Sequence, residues 1–394
     1  MADRLRFMSM PREEKNEKAR TATYFSFLLC GIAVSAWAPM VPLAKQRVGL
    51  NEAELGLLLL AMGAGAIVTM PVIGPVIQKK GSRTIILYSS IVAACILPLL
   101  TILDTALSLG IALFIFGAAL GTLDVSMNSQ AVVVQDRFNR HIMSSFHGMF
   151  SVGGLIGAML FGFLLYLELN ATIAAAVISV ALLIMAILFN SRFLDHPRST
   201  ENAAFVFTLP KGPVVLLGIF CFIVFLAEGA LLDWSALFLR EDRNFTESMM
   251  GSGYAVFSVS MAVMRFSGDR MVRFYGSKKI VFWGALLAAA GLLVAVLLPW
   301  KSAAIGGFLL IGIGAANIVP VLFSAAGKAD PRSPELALAA VTTLGYTGQL
   351  AGPALIGFAA HLTTLTTALG LLAAPLLIVA FGFGAKEPVP SADA

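Results

Sequence analysis

The sequence predicts an all-α integral membrane protein in which twelve transmembrane helices form two pseudo-symmetric six-helix bundles. Hydrophobic residues make up 58% of the 394 residues and charged residues only 12%, against about 25% charged residues in a typical soluble protein. A soluble chain of this length would need many more charges to cover its surface. The second observation is a set of twelve apolar runs, and the third is a weak repeat of the first half of the chain in the second. Together they exclude a water-soluble protein.

Each apolar run has about the 20 residues that a helix needs to cross a bilayer. The runs predict helices near residues 22–42, 53–77, 84–103, 106–134, 142–167, 171–190, 213–239, 248–272, 278–299, 302–326, 335–361 and 364–384. Several polar breaks carry residue types that typically begin a helix, because their side chains accept hydrogen bonds from its first backbone N–H groups. These are Asn51 with Glu54, Asp104, Asn170, and Ser333 ahead of Pro334.

The basic residues predict the orientation. Six basic and four acidic side chains precede the first apolar run, so we expect residues 1–20 to be a cytoplasmic tail and not a cleaved signal peptide. Twelve spans then place 22 of the 27 Lys and Arg residues inside and 5 outside, as the positive-inside rule requires. We therefore predict a multi-pass protein of the bacterial inner membrane, with a second cytoplasmic tail at 386–394.

The longest polar break, 191–212, predicts a cytoplasmic linker between bundles at 21–190 and 213–385. The two halves match weakly in sequence at nearly constant offsets. Trp37 matches Trp234 at 197 residues, Glu52 and Gly56 match Glu247 and Gly251 at 195, and Gly148 and Gly157 match Gly348 and Gly357 at 200. Duplicated six-helix halves are typical of secondary transporters, which hold their pathway within one chain. We expect such a carrier to work as a monomer.

Several other classes of function lack support in the sequence. The net charge of +5 comes from basic residues in short loops, so we expect the lipid bilayer and not nucleic acid as the partner. Cys30, Cys95 and Cys221 lie in apolar runs, which predicts small buried side chains and no disulfide or metal site. No glycine-rich phosphate loop is followed by Lys and Ser or Thr, and no nucleophile and base are recognisable. We expect no enzyme activity, cofactor or metal.

Two acids deep in the seventh predicted helix are candidates for proton coupling. Glu228 lies fifteen residues into that run, about 22 Å from its inner end, and Asp233 follows nearer the outside. A charge in hydrocarbon costs roughly 3 kcal/mol or more, so an acid there is a candidate for binding and releasing a proton. The alternative is a structural carboxylate that ties this helix to a neighbour.

Polar residues in the fourth and fifth predicted helices are candidates for solute binding. Asp124 and Asn128 are one helical turn apart, so they project from one face and can bind hydroxyls or an amine. Asp124 is also a candidate proton-coupling acid. His147 lies at a similar depth and can complete the cluster or carry protons. The alternative for all three is hydrogen bonding between packed helices.

The remaining candidates lie in both halves of the chain. Arg265 and Asp269 are four residues apart in the eighth predicted helix, and we expect a gate or structural ion pair there or between the halves. The amide, phenol and indole groups that typically hold sugars and polyols supply the rest of the predicted solute site. They are Trp37, Trp234, Asn317, Tyr346 and Gln349.

The loop between the second and third predicted helices resembles the signature loop of the major facilitator superfamily. Gly74, Lys79, Gly81 and Arg83 fit this pattern, and Gln78 stands where the superfamily has Asp. In the second half Gly276, Lys278 and Lys279 fit, Arg273 holds the place of the acid, and Asp269 with Arg270 is displaced by one turn. The resemblance covers nearly the whole chain and implies the two-bundle fold of that superfamily.

Shorter runs resemble the bacterial MosC-like branch of the superfamily, named for rhizopine transport. These runs are Ala227-Glu228-Gly229, Asp233-Trp234, His147-Gly148 with Gly153, Arg265-Phe266, Met127-Asn128 and Gly345-Tyr346. The resemblance implies uptake of a small polyol or amino-polyol, because rhizopines are methylated, aminated inositols, and it implies a proton link. It also supports Glu228, Asp233, Asn128 and His147 as site residues.

The hypothesis from the sequence is therefore a proton-coupled symporter of a small polar solute such as a polyol, an amino-inositol or a sugar. A drug/proton antiporter is the alternative within transport, and it would lower rather than raise the amount of solute in the cell. A non-transporting sensor with a carrier fold is the alternative from another class, and it would bind solute without flux.

Overall fold

The computed structural model describes residues 10–138, 142–194, 212–329 and 334–383, and these are helical apart from turns and short connections. The first half contains α1 (Arg12–Trp37), a 3-10 turn (Ala38–Met40), α2 (Val41–Val48), α3 (Glu52–Lys80), α4 (Ser82–Leu99), α5 (Ala106–Phe138), α6 (Met143–Tyr166) and α7 (Ala171–Asn190). The second half contains α8 (Pro213–Glu241), a 3-10 turn (Glu247–Met249), α9 (Ser252–Tyr275), α10 (Ser277–Leu297), α11 (Lys301–Ala315), α12 (Ile318–Ala329), α13 (Pro334–Leu362), α14 (Leu365–Leu371) and α15 (Ala373–Gly382).

Helix is found at each of the twelve predicted positions. Ten helical segments of the described residues are long and apolar enough to cross a membrane, and α9 and α13 occupy the other two positions. The first, tenth and twelfth predicted helices are each interrupted, between α1 and α2, α11 and α12, and α14 and α15. Large apolar side chains such as Leu107, Ile187 and Leu297 are more than half exposed on the outside of the bundle, as expected of a surface in contact with lipid.

Two of the predicted helix starts are confirmed by their hydrogen bonds. The Asn51 side chain accepts a hydrogen bond from the Glu54 backbone N–H, and the Glu54 carboxylate accepts one from the Asn51 N–H, each at 2.9 Å. The Asn170 side chain caps α7 in the same way, since it accepts from the Ile173 N–H at 2.9 Å. Both caps satisfy backbone donors that have no partner within the helix.

The predicted start at Asp104 is wrong by one residue. The Thr105 hydroxyl, and not the Asp104 carboxylate, accepts the hydrogen bond from the backbone N–H of Ser108, at 3.2 Å. A Thr hydroxyl also accepts hydrogen bonds from backbone N–H groups at the start of a helix. Ser333 lies outside the described residues, as do most of the linker (195–211), the start of the first tail (1–9) and all of the second (386–394).

The helices of the two halves pack in the same pattern. In the first half α1 packs on α6, α3 on α5, and α4 on both α5 and α7. In the second half α8 packs on α13, α9 on α11, and α10 on both α11 and α15. Each pair has its counterpart at the equivalent place in the other half, so the weak sequence repeat corresponds to a structural duplication.

Glycines bring two of these equivalent pairs close together. A side chain at Gly153 would collide with the backbone of α1 at Leu28 and Ile32, and one at Gly348 would collide with the backbone of α8 at Phe222. The absence of a side chain lets helix backbones touch in a bundle where dispersion and close packing drive association. These contacts join the first and fifth predicted helices of each half.

Two arginines make equivalent contacts at one end of the bundle. Arg47 donates to the carbonyl oxygens of Leu100 at 2.6 Å and Leu103 at 2.9 Å. Arg243, 196 residues later, donates to those of Ala295 at 2.9 Å and Val296 at 2.8 Å. Both arginines bind the carboxyl-terminal end of a helix, where backbone carbonyls have no partner and the helix dipole favours a cation.

The contacts between the halves close one end of the bundle. We call the end where α1 begins the near end, and the opposite end, which contains α2, the far end. At the far end Ala38–Met40 and α2 pack on α8. The Gly56 Cα of α3 also approaches α13 so closely that a Cβ there would lie 2.7 Å from the Pro353 carbonyl oxygen. Elsewhere α3 packs along α13 and α6 along α9.

An ion-pair network joins the two halves at this closed far end. The Lys45 ammonium lies 2.9 Å from a carboxylate oxygen of Glu52 in its own half and 2.9 Å from one of Glu241 in the other half. The second half has its own pair between Arg240 and Glu247 at 2.8 Å, and both of its members lie 195 residues after Lys45 and Glu52. Only the contact between Lys45 and Glu241 in this network crosses from one half to the other.

One expectation about the cysteines is corrected. All three are free thiols, and Cys30 and Cys221 are buried as expected, but Cys95 is exposed. Cys95 lies on the outer face of α4, which is apolar on more than one side because it faces lipid as well as protein. An apolar run therefore does not distinguish a buried residue from a lipid-facing one.

Candidate functional site

Glu228 is paired with a cation, Arg265, that the sequence does not identify as its partner. Its carboxylate lies 3.7 Å from the Arg265 guanidinium of the neighbouring helix α9. The two side chains are 15% and 23% exposed, and Glu228 Oε1 is buried with no hydrogen-bond partner among the described residues. The pair is thus long and leaves one acceptor free. Glu228 Oε1 can therefore still accept a hydrogen bond from a bound molecule.

Arg265 also contacts the break between α11 and α12. Its Nε donates to the carbonyl oxygen of Ala316 at 3.4 Å, and the Asn317 amide donates to the Met264 carbonyl of α9 at 3.2 Å. Asn317 is buried and lies against Gly268. The helix break therefore holds α9 in place, and the amide nitrogen of Asn317 is committed to the backbone. The side chain of Asp269 lies outside the described part of the chain, so the predicted pair of Arg265 with Asp269 stays a prediction.

Asp124 and Asn128 are brought together as their spacing predicts. The Asn128 amide donates to the Asp124 carboxylate at 3.2 Å and to the Asp124 carbonyl oxygen at 2.9 Å. Both side chains are half-buried, and no cation is paired with Asp124 among the described residues. The Asp124 carboxylate therefore has unused acceptor sites and a charge that only an amide offsets.

Tyr346 connects the two groups of acids. Its ring stacks on Phe225 of α8 with centroids 5.5 Å apart and an interplanar angle of 12°. The charges of Asp124 in the first half and Glu228 in the second both act on its hydroxyl group. Asp124 and Glu228, from the two halves, therefore both lie near Tyr346.

His147 and Gln349 border the same region. The exposed ring of His147 contacts Phe27 edge-on with centroids 5.2 Å apart, and it lies within electrostatic range of Arg265 in the other half. Gly148 packs against the Phe266 ring beside that arginine. Half-buried Gln349 packs on Gly229, next to Glu228. These contacts place an imidazole and an amide beside the central acids.

Trp37, Trp234 and Asp233 are buried on the far side of this cluster. Both tryptophans are 0% exposed and Asp233 is 3% exposed. Neither indole N–H has a hydrogen-bond partner among the described residues. In this conformation the two rings belong to the packed core, and they offer no face to a solute. Their roles in solute binding stay predictions.

The sequence analysis missed Tyr254 on α9. This residue is buried and lies within electrostatic range of Glu228, Asp233 and Arg265. It also approaches Gly154 of the first half, where a Cβ would lie 3.7 Å from its ring. A phenol in a mostly apolar helix gives little signal by itself, because it is equally common as a residue at the membrane interface.

The comparisons with known proteins now decide the family. The model of the Major Facilitator Superfamily matches residues 23–353. The chain belongs to the major facilitator superfamily. It is 45% identical over 361 residues to an uncharacterised MFS-type transporter of Yersinia pestis, covering 92% of this chain and 94% of the relative. It is 33% identical over 365 residues to the membrane protein MosC of Rhizobium meliloti, covering 92% of this chain and 87% of the relative.

Solved structures show the same fold. A mutant of the nucleoside transporter NupG superposes with a TM-score of 0.76 at 14% identity, covering 94% of this chain and 98% of that one. The human organic anion transporter MFSD10 gives a TM-score of 0.63 at 17% identity, covering 93% and 99%. The predicted all-α fold and the resemblance to the superfamily and to MosC are confirmed. The protein is a multi-pass membrane carrier and not an enzyme.

Proposed function

We propose that this superfamily member moves a small polar solute by alternating access, together with protons. The observation that carries the proposal is the convergence of polar side chains from both halves on the region around Tyr346. Asp124, Asn128 and His147 come from the first half and Glu228 and Arg265 from the second. A solute bound there would contact both halves, so its binding can bias the equilibrium between the two open states.

The chemistry of these groups supports a solute with hydroxyl groups and an amine. The Asp124 carboxylate has acceptor sites that its amide neighbour does not fill, which suits an ammonium group or hydroxyl donors. Asn128 and Gln349 supply amides that both donate and accept hydrogen bonds. A polyol, amino-inositol or sugar fits this set, and the similarity to MosC supports the same class. An apolar cavity for hydrophobic drugs is less well supported, because the side chains around Tyr346 are polar.

The central acids support a link to protons. Glu228, Asp233 and Asp124 all lie within the helices, where an uncompensated charge is costly. A carboxyl that can be neutral in one state of the carrier and charged in another couples proton binding to that change of state. We propose symport, in which the proton gradient drives the solute inward.

The distribution of basic residues supports an orientation in the inner membrane. The near end contains the predicted cytoplasmic loops, so a closed far end corresponds to a carrier that faces the cytoplasm. One chain contains both halves and the whole central cluster, which supports a functional monomer.

A thermal-shift screen on the purified protein tests the proposal. A ligand that binds the native state stabilises it by about 2.7 kcal/mol at a concentration 100 times its Kd, so weak binders are visible. We expect an inositol, amino-inositol, sugar or amine to raise the Tm of the wild type and of Asp104→Asn. The same compound should fail to do so with Asp124→Asn. Asp104 is an exposed acid in the turn before α5, which makes it the matched control.

The compound found in this way is then used for transport into proteoliposomes. An imposed inward proton gradient should drive its accumulation. Binding without flux would support the sensor, and proton-driven extrusion would support the antiporter. Equal stabilisation of the wild type and Asp124→Asn would contradict the proposed site.

A further inference from the structure

Asp233 differs from the other acids in α8 and directly after it because no group in the described part of the chain offsets its charge. Glu228 is paired with Arg265, Glu241 with Lys45, and the Asp242 carboxylate accepts a hydrogen bond from Thr366 at 2.9 Å. Asp233 is 3% exposed, and its Oδ1 is buried with no hydrogen-bond partner. In the described part of the chain it makes no ion pair.

Within the described residues, no cation on the helices packed against α8 forms an ion pair with Asp233. From α9, the facing groups are Tyr254, a phenol, and Arg265, whose guanidinium is paired with Glu228. From α2, Lys45 is bound to two carboxylates and Arg47 to backbone carbonyls. From α11, the Lys301 ammonium lies over the Phe245 ring with its nitrogen 5.2 Å from the centroid.

The described residues of the other neighbouring helices also provide no cation that pairs with Asp233. On α13 the described ionisable side chains are Tyr346, which faces the central acids, and His361, which is exposed near the far end. The side chains of Glu335 on α13 and Lys328 on α12 are not among those that the structure describes. The stretches of α14 and α15 contain no ionisable residue. On α8 itself Arg240 is bound to Glu247.

An isolated carboxylate in such a place is unstable. Moving an ionised carboxylate out of water without a partner is so costly that the group takes up a proton instead. A neutral carboxyl group in the same place loses only a hydrogen bond or two. The packing around Asp233 in this conformation therefore requires a neutral side chain.

This packing belongs to the closed far end. Asp233 lies between the central cluster and the ion pair of Lys45 with Glu241, on the helix that Ala38–Met40 and α2 cover. Its neighbour Tyr254 lies against Gly154 of the other half. Opening of the far end separates these surfaces, admits water to this part of α8, and allows the carboxylate to ionise.

We propose that Asp233 takes up one proton whenever the far end closes, so that closure of the carrier is linked to the pH of the far-side solution. This proposal rests on the proposed function, because it requires a carrier that opens and closes. It assigns the pH-dependent step to Asp233 and not to Glu228, whose carboxylate has a cation partner in Arg265 at 3.7 Å. The proton forms the O–H bond of the carboxyl group and comes from far-side water.

The test measures the far end directly and uses no solute. Spin labels are placed at Leu167→Cys and Met249→Cys, which are exposed positions on opposite halves at the far end, in a protein whose three native cysteines are replaced. Distances are recorded between the labels in lipid nanodiscs across a pH series. If one proton is released on opening, the open-to-closed ratio should increase as the pH rises, by up to about tenfold per pH unit.

The variants decide which residue is responsible. We expect Asp233→Asn to abolish the pH dependence and to favour the closed state, and Asp233→Glu to restore it. Asp242→Asn, the same change at an acid that directly follows α8 and has a partner, should keep the wild-type dependence. A pH dependence that survives in Asp233→Asn would overturn the proposal, as would a wild-type ratio that does not change with pH.

Infrared spectroscopy provides a second measurement that does not depend on opening. The difference spectrum between the closed wild-type protein and Asp233→Asn at neutral pH should contain the C=O band of a protonated carboxyl group, and the difference spectrum between the wild type and Asp242→Asn should lack it. Absence of this band from the difference spectrum between the wild type and Asp233→Asn would overturn the proposal. Failure of the solute screen with an intact pH dependence of the far end would contradict the proposed solute site alone.

Discussion

The ion pair between Lys45 and Glu241 should favour the closed far end by an amount that can be measured. Glu241→Gln removes the one contact of the far-end network that crosses between halves, and Lys45 keeps its partner Glu52 at 2.9 Å. The variant therefore leaves no buried charge without a partner. Its effect should be confined to the equilibrium between the closed and open far end.

The exposure of the two side chains limits the size of the effect. Lys45 is 13% exposed and Glu241 is 44% exposed, so solvent screens the pair and an energy of about 0.5–1 kcal/mol is reasonable. With RT of about 0.6 kcal/mol, this predicts that the open-to-closed ratio rises about two- to five-fold. High salt should reduce the difference from the wild type.

The matched control is Glu247→Gln. This change breaks the pair of Arg240 with Glu247 at 2.8 Å, which lies within the second half, so it should leave the ratio unchanged. The spin-label distance between the two halves at the far end reports both variants. An equal shift of the open-to-closed ratio in the two variants, or no shift in Glu241→Gln at low salt, would refute the view that the pair of Lys45 with Glu241 stabilises the closed far end.

Three further predictions follow from the contacts. Glu228→Gln leaves Arg265 without its carboxylate, and we expect loss of proton-driven accumulation with retained solute counterflow in proteoliposomes; equal loss of both would indicate a folding role. Gly153→Ala should lower the Tm because a Cβ there collides with the backbone of α1. Gly306→Ala, where a Cβ meets open space, should leave the Tm unchanged or raise it, and the reverse order would contradict this account of helix packing. Arg243→Ala should cost about 1–3 kcal/mol in chemical unfolding, because it leaves two buried carbonyls at the end of α10 without a donor; Arg240→Ala, at a more exposed pair, should cost less than 1 kcal/mol.

Part of this site could be predicted because it depends only on local geometry. Asp124 and Asn128 meet because residues four apart share a helix face, and the hydrogen bond at 3.2 Å follows from that spacing. The capping box of Asn51 and Glu54 is likewise a property of one helix start. Such features need no knowledge of which helix packs against which.

The sequence by itself determined the class of protein, the positions of the helices and the duplication, because the length of an apolar run and the period of a repeat are properties of one chain segment. Only the tertiary structure decided that Arg265 pairs with Glu228, that Trp37 and Trp234 are buried, and that Asp233 makes no ion pair with any described residue. These facts depend on the rotation of each helix about its axis. A membrane helix is apolar towards lipid and towards protein alike, so its hydrophobic pattern does not encode which face meets a neighbour.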